Sequence, residues 1–142
     1  MCIRDSVDSL ETKTALVDRC GLRSTLDMAE KLDVVVLSVG GIERNSTTYR
    51  TGYIAEAERR SLEKAGAVGD LLFHFLDRDG ALVDHPINER IVSADMEAIR
   101  RAPERILASG GPEKIDIIRA ALAYLRPTIL VTDETTAGRL LD

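Results

Sequence analysis

A strand–helix–strand pattern in the last third of the chain constrains its fold more than any other feature. Residues 105–108 predict a short strand, residues 112–125 an amphipathic helix, and residues 128–132 a second apolar strand. The apolar positions of the helix recur on one face and form a single stripe, made of Ile115, Ile118, Leu122 and Leu125. Because strands and helices alternate in this way in β-α-β units, the pattern indicates a parallel sheet in an α/β fold.

Further elements extend this pattern towards the N-terminus. Residues 33–39 form a mostly β-branched run, which predicts a strand buried on both faces of a sheet. Residues 54–65 predict a helix closed by Gly66, and residues 95–101 predict a short helix. The apolar residues 71–76 fit either a second short helix or a strand, so their conformation stays open at this stage.

The turn between the predicted strand and the predicted helix carries two glycines and a lysine. Gly110 and Gly111 would let a bound anion approach the backbone, and Pro112 suits the first position of a helix. The N–H groups of a first helical turn attract negative charge, and a bound phosphate would also pair with Lys114. The same string fits a plain strand-to-helix turn with an exposed lysine, because it lacks the Gly-Lys-Ser/Thr of a full phosphate loop.

Three predicted strands end in turns that are rich in small or polar residues. These turns are residues 38–41, residues 109–111 and residues 132–134. Ligands of open parallel sheets bind beyond the carboxyl ends of the strands. We therefore expect the functional site at this edge of the sheet, with Gly40 among the residues that contact the ligand.

Charge and cysteine content exclude several functions for this segment. The formal net charge is −5 and there is no basic cluster, so we expect no nucleic-acid binding by the segment itself. No apolar run approaches the roughly 20 residues of a membrane span, and the N-terminus lacks the apolar core of a secretory signal. Cys2 and Cys20 lack partners at disulfide or metal-site spacing. We expect a cytoplasmic protein without a metal or other cofactor.

The first six residues, Met-Cys-Ile-Arg-Asp-Ser, resemble translated sequencing-adapter sequence. We therefore expect residues 1–6 to be an artefact of sequencing and exclude them from reasoning about the fold. On this interpretation residues 7–142 are the natural part of the chain, and the natural reading frame continues upstream.

Four strings occur together in a recognisable order, at residues 66–70, 77–80, 109–114 and 131–137. As a set they resemble the sugar-binding (effector) domain of SorC/DeoR-type bacterial transcriptional regulators, from about residue 14 to the end of the chain. The resemblance implies a Rossmann-like parallel sheet with flanking helices, similar to the fold of sugar-phosphate isomerases and deaminases. The sequence lacks the first half of that domain, so the fold is expected to be an incomplete, C-terminal portion.

The same resemblance implies the biological role. Regulators of this type bind a phosphorylated sugar, and the ligand changes their oligomerisation and their affinity for operator DNA. We therefore expect a phosphorylated sugar effector as partner, a homo-oligomer in the full-length form, and no membrane. Contact with DNA would occur only through an N-terminal helix-turn-helix domain, which is missing from this sequence.

The resemblance also assigns roles to individual residues. Gly110, Gly111 and Lys114 would bind the phosphate of the sugar. Asp70 would form hydrogen bonds with hydroxyl groups of the ligand, and Arg50 would supply a second charged contact.

This sequence departs from the family pattern at two places near the expected site. Ser38 stands where the family has a glycine, and Ser109 stands where alanine is common, so either side chain would narrow or polarise the pocket. The resemblance also implies that Asp133 and Glu134 close the pocket, with a purely structural role as the alternative. Asp70 has a structural alternative, since aspartate is also common as the N-cap of a helix that follows it.

An enzyme of the isomerase or deaminase type is the alternative function. General acid–base chemistry on a sugar needs a carboxylate or histidine within hydrogen-bond reach of the substrate. The loop after the strand at residues 33–39 offers only Glu43 as a base, and His74 lies among apolar residues typical of a core. We therefore expect a binding domain without catalytic residues.

Overall fold

The computed structural model describes residues 6–142. Within that range the α-helices are α1 (Leu10–Thr14), α2 (Leu22–Asp27), α3 (Thr47–Arg50), α4 (Glu56–Lys64), α5 (Met96–Arg101), α6 (Ile115–Leu125) and α7 (Glu134–Leu141). The strands are β1 (Val34–Leu37), β2 (Val39–Gly41), β3 (Gly69–Leu71), β4 (His74–Leu76), β5 (Glu104–Ala108) and β6 (Ile129–Val131). Shorter π-helical or 3-10 turns cover Ala15–Arg19, Met28–Lys31, Pro86–Arg90 and Pro112–Lys114.

Strands β1, β5 and β6 form the parallel sheet that the sequence predicts. β5 is central, since Leu107 pairs with Leu37 on one side and with Leu130 on the other. The chain runs from β5 through α6 to β6, so the predicted β-α-β unit is confirmed. The α-helix itself begins at Ile115 rather than at Pro112, because a 3-10 turn comes first.

A second, antiparallel sheet is present that the sequence pattern does not predict. The strand expected over residues 33–39 divides at Ser38, and its second part, β2, pairs with β3, which pairs with β4. Residues 71–76 therefore form part of a hairpin and not a helix. The hairpin turns through Leu72 and Phe73 at φ values of 51° and 66°. This left-handed conformation costs residues other than glycine about 1–2 kcal/mol each.

Asp70 closes this hairpin. It lies in β3 and no helix follows it, so the alternative prediction of a helix N-cap is wrong. Its Oδ2 accepts the N–H of Phe73 at 3.0 Å. The short carboxylate thus satisfies a buried backbone donor inside the strained turn, which is the usual reason for aspartate before a tight turn.

The expectation that residues 33–39 are buried on both faces of a sheet is wrong. Val35 is 5% exposed, whereas Val34 and Val36 are 50% and 65% exposed. Ile129 of β6 is 45% exposed and pairs with the same β5 residue as Val36, so the two side chains share one face. An apolar run predicts a buried strand, but it does not show whether this chain covers both faces.

Helix α6 packs between the two sheets and forms the centre of the core. Ile117, Ile118 and Leu125 are at most 1% exposed. The helix contacts β2, β3 and β4, and it shares an apolar cluster with Leu107 of the parallel sheet. The predicted apolar stripe contains Ile118 and Leu125 but omits Ile117, which is buried because the second sheet covers that side of the helix.

The other predicted helices are confirmed. Residues 54–65 contain α4, and the chain leaves the helix at Gly66, whose φ of 92° favours glycine. Residues 95–101 contain α5, with Asp95 as its N-cap. α4 contributes Leu62 to a second apolar cluster, which also contains Phe73 and Phe75 of the hairpin.

The two histidines, His74 and His85, are both half-buried in the fold. His74 is half-buried in β4, as expected of a core residue, and burial lowers its pKa. His85 is half-buried. Its Nδ1 accepts the N–H of Ile87 at 3.2 Å, and its Nε2 lies 3.1 Å from Oγ of Ser61.

The expected artefact at residues 1–6 lies outside the described residues except for Ser6. Ser6 is buried and forms an antiparallel bridge with Ile91. Cys2 also lies outside the described residues, and Cys20 is exposed. Within residues 6–142 no helix has the length and apolar composition needed to cross a membrane. The same residues contain no cluster of three or more side chains suited to a metal ion.

Gly69 sets how closely α6 approaches the antiparallel sheet. A Cβ at this position would lie 2.4 Å from the carbonyl oxygen of Gly40 and 2.6 Å from Cγ1 of Ile117. We predict that Gly69→Ala lowers the free energy of unfolding by about 1–3 kcal/mol, because strand and helix must move apart. Urea denaturation measures this change.

Gly138→Ala is the matched control. Gly138 lies in α7, and a Cβ at this position would meet no heavy atom within 4 Å, so alanine is accommodated. Helix propensity predicts a stabilisation of about 1 kcal/mol for this variant. A Gly69→Ala protein with the wild-type unfolding midpoint would contradict the close approach of α6.

Candidate functional site

A cleft lies where the ends of β1 and β2 face the beginning of α6. Its volume is about 430 Å³. Its walls are formed by Ser38, Val39, Gly40, Gly41, Glu43, Asn45, Ser46, Thr47, Glu113 and Lys114. The cleft therefore lies beyond the carboxyl end of a strand of the parallel sheet, where the sequence predicts the ligand.

One wall of the cleft is the loop that follows β2. Ser46 caps α3 by accepting the N–H of Tyr49 at 3.4 Å. Arg44 ties the loop to α4 through a salt bridge of 2.7 Å to Glu56. Arg59 of α4 lies 5.8 Å from the ring centre of Tyr49 and binds Glu56 at 3.0 Å. The guanidinium groups around Glu56 hold the pKa of its carboxyl well below the ordinary range, Arg59 most strongly.

The opposite wall carries Lys114. It ends the 3-10 turn before α6, and its backbone N–H donates to the carbonyl of Gly111 at 3.0 Å. The side chain is half-buried, and no salt bridge joins its ammonium group to any described residue. Among the described residues Lys114 is the only cation that lines the cleft. It is therefore available to an anionic ligand.

The two glycines before Lys114 are fixed by α7. The N–H of Gly111 donates to Oδ2 of Asp133 at 3.0 Å and to Oγ1 of Thr136 at 2.9 Å. A Cβ at Gly110 would lie 2.3 Å from Oδ2 of Asp133, so glycine makes room for the carboxylate. Hydrogen bonding from Thr136 lowers the pKa of Asp133. Asp133 therefore closes the turn as the N-cap of α7, and the Gly111 N–H already has acceptors within the chain.

Gly40 and Asp70 are paired in the antiparallel sheet. A Cβ at Gly40 would lie 2.3 Å from Oδ1 of Asp70, so the glycine lets this carboxylate lie across the strand. Asp70 is buried, at 8% exposure. It therefore lies next to the floor of the cleft but is not one of the residues that line it.

The structure unites some of the predicted site residues and separates others. Gly40 and Lys114 line the same cleft, although they are far apart in sequence. Gly111 lies in the turn that carries Lys114. Arg50 is exposed at the end of α3 and does not line the cleft. The assignment of Gly110, Gly111, Asp70 and Arg50 as ligand contacts stays a prediction.

Several cleft residues carry no site prediction from the sequence. The sequence pattern places Glu113 only as part of the turn, and it offers Glu43 only as the base of an enzyme. Asn45, Ser46 and Thr47 form a polar run after a glycine-ended strand, and the hydroxyls of Ser46 and Thr47 could donate to a phosphate. That signal is weak, because such runs are common in loops without a ligand.

The two departures from the family pattern have different positions. Ser38 lines the cleft, so its side chain adds a polar group where the family has a glycine. Ser109 is buried at the end of β5, and its Oγ has no hydrogen-bond partner among the described residues. The Ser38 departure therefore bears directly on the cleft.

The cleft has the chemistry of a binding site for a small polar ligand, with one cation, two carboxylates and several neutral polar groups in its lining. Lys114 offers a cation, while Ser46 and Thr47 offer hydroxyls and Asn45 an amide. Such groups suit a ligand that combines one anionic group with hydroxyls.

Comparisons with known proteins identify the family of this chain. The profile of a family described as "Putative sugar-binding domain" matches residues 2–142. The chain is 34% identical over 138 residues to the transcriptional regulator LsrR of Klebsiella pneumoniae. It is 27% identical over 135 residues to the deoxyribonucleoside regulator of Bacillus subtilis. Each match covers 95% of this chain and 43% of the relative, so the chain spans less than half the length of these proteins.

Solved structures agree on the fold. A DeoR family transcriptional regulator from Listeria monocytogenes superposes with a TM-score of 0.89 at 23% identity, covering 96% of this chain and 55% of that chain. The full-length sorbitol operon regulator SorC from Klebsiella pneumoniae gives a TM-score of 0.86 at 25% identity, covering 97% and 45%. The predicted α/β fold, a parallel sheet with flanking helices, is confirmed.

The structural role of Asp70 generates a prediction. We expect Asp70→Ala to lower the free energy of unfolding by about 1–3 kcal/mol, because it leaves the buried N–H of Phe73 without the acceptor seen here. Asp70→Asn keeps an acceptor oxygen at the same distance from the backbone. We expect its loss of unfolding free energy to be less than half of the loss in Asp70→Ala. Thermal denaturation of the three proteins checks this order. Equal losses in both variants would show that the hydrogen bond to Phe73 does not stabilise the hairpin.

Proposed function

This chain belongs to the sugar-binding domain family of SorC/DeoR-type bacterial transcriptional regulators, and we propose that its cleft binds a phosphorylated sugar as effector. One observation carries the proposal. Lys114 is half-buried, has no salt bridge within residues 6–142, and lines a cleft whose other wall offers hydroxyl and amide groups. The cation would bind the phosphate, and the polar loop would bind the sugar hydroxyls.

Each predicted site residue has a place in this proposal. Lys114 binds the phosphate directly, as a point charge at the beginning of α6. Gly110 and Gly111 shape the turn that carries it. Gly40 forms the floor of the cleft, and Asp70 binds ligand hydroxyls from beside it. Arg50 adds a second charged contact only if α3 moves towards the ligand.

Binding would act on DNA through a conformational change elsewhere in a longer protein. A ligand shifts such an equilibrium only by binding one state better than the other. We propose that a separate DNA-binding domain and homo-oligomerisation read out this shift, because the relatives are transcriptional regulators of more than twice the matched length. We further propose that the protein is cytoplasmic, that residues 7–142 are the partial effector domain, and that residues 1–6 do not belong to it.

We propose binding without turnover. Glu43 lines the cleft and is the one residue there that the sequence offers as a base for an isomerase or deaminase. No histidine is among the described residues that line the cleft. The relatives named above are regulators, which favours the binding function over the enzymatic one.

Lys114→Ala tests the proposal directly. We expect it to weaken binding of ribose 5-phosphate or fructose 6-phosphate about tenfold or more, because a hydrogen bond to a charged group contributes roughly 1.5–3 kcal/mol. Isothermal titration calorimetry of the 142-residue chain measures the affinity. Assaying the same mixtures for sugar-phosphate products tests for turnover.

Lys64→Ala is the matched control. Lys64 is exposed at the end of α4 and does not line the cleft, so its loss removes an equal charge elsewhere. We expect this variant to bind like the wild type. Wild-type affinity in Lys114→Ala would contradict the phosphate site, and product formation that depends on Glu43 would favour the enzyme.

A further inference from the structure

Two carboxylates line the same cleft as Lys114. Glu43 and Glu113 both line it, and neither forms a salt bridge within the described residues 6–142. Among the described residues, the charged groups of the lining are therefore one cation and two anions. A cleft that served only to attract anions would not carry this excess of negative charge.

The backbone has made room for both carboxylates. A Cβ at Gly41 would lie 2.3 Å from Oε2 of Glu43, and one at Gly111 would lie 2.7 Å from Oε1 of Glu113. Each glutamate thus folds back over a glycine two residues before it, one on each wall of the cleft. A side chain at Gly41 or Gly111 would displace these flexible carboxylates, so the two glycines leave the space in which the carboxylates lie.

A carboxylate favours some ligand groups and opposes others. Ionised glutamate only accepts hydrogen bonds, so it binds hydroxyl groups and repels phosphate oxygens. A sugar with one phosphate can place that phosphate at Lys114 and its hydroxyls at Glu43 and Glu113. A sugar with two phosphates would bring the second one against a carboxylate, because the described lining holds no second cation.

From this arrangement we propose that Glu43 and Glu113 determine ligand specificity. They select a sugar that carries a single phosphate and several hydroxyls, and they reject sugars with two phosphates. This inference rests on the proposed function, since it concerns the same cleft, but it can fail while that function stands.

Matched pairs of ligands test the inference. Calorimetry compares fructose 6-phosphate with fructose 1,6-bisphosphate, and ribose 5-phosphate with ribose 1,5-bisphosphate, on the 142-residue chain. We expect the wild type to bind at least one monophosphate about tenfold more tightly than its bisphosphate. Glu43→Gln and Glu113→Gln should each reduce this preference about threefold to tenfold, mainly by strengthening bisphosphate binding.

Glu89→Gln is the control for net charge. Glu89 is exposed in the 3-10 turn Pro86–Arg90, forms no salt bridge among the described residues, and does not line the cleft. We expect this variant to keep the wild-type preference. Since glutamine has the shape of glutamate, equal unfolding midpoints of the variants would show that the fold is retained.

The outcomes separate the two claims. If a monophosphate binds but both glutamine variants keep the wild-type preference, the inference is wrong and the proposed function stands. Tighter binding of the bisphosphate by the wild type would also overturn it. If neither monophosphate binds the wild type, the proposed function fails and the inference fails with it.

Discussion

The packing of α6 between the two sheets positions everything else in this structure. Its side chains fill the space beneath the antiparallel sheet, where Gly69 permits contact with Ile117, and they also join the core of the parallel sheet through Leu107. Because the helix is held on both sides, its first residues lie at a fixed place beside the end of β2. The cleft and Lys114 follow from that contact, and a core change that moves α6 would alter the site without touching a residue that lines it.

Around the cleft, glycines are paired with carboxylates. Gly40 faces Asp70, Gly41 faces Glu43, Gly110 faces Asp133, and Gly111 faces Glu113, each at a distance that a Cβ would not allow. The four carboxylates have different roles. Asp70 and Asp133 accept backbone N–H groups and fix turns, whereas the two glutamates remain available in the cleft. The sequence suggests that Gly110 and Gly111 leave room for a bound phosphate, and this stays a prediction. In the structure the carboxylates of Asp133 and Glu113 lie beside these two glycines.

Helical and strand periodicity predicts the β-α-β unit, the parallel sheet and two further helices, because these depend on local patterns of apolar residues. The hairpin of β3 and β4 is not predictable in this way, since Leu72 and Phe73 turn the chain with left-handed angles and carry no glycine signal. The prediction that residues 33–39 are buried on both faces is wrong, because an apolar run does not show which elements pack against the strand.

The site is partly predictable for the same reason. Gly40 follows from the rule that ligands bind beyond the ends of parallel strands, and Lys114 follows from the glycine turn before a predicted helix. Both line the cleft. The hydrogen bonds of Gly111 to Asp133 and Thr136 depend on how α7 returns to the turn, which the sequence does not reveal. The position of the Glu113 carboxylate likewise depends on the backbone conformation of the turn at Gly111, which the sequence does not reveal.

A crystal structure of this chain with a bound sugar monophosphate tests the central claim most directly. The decisive quantity is the distance from Nζ of Lys114 to the nearest phosphate oxygen. We predict a distance of about 2.7–3.2 Å, with the sugar hydroxyls towards the loop after β2. A phosphate bound away from Lys114, at Arg50 or outside the cleft, would contradict it.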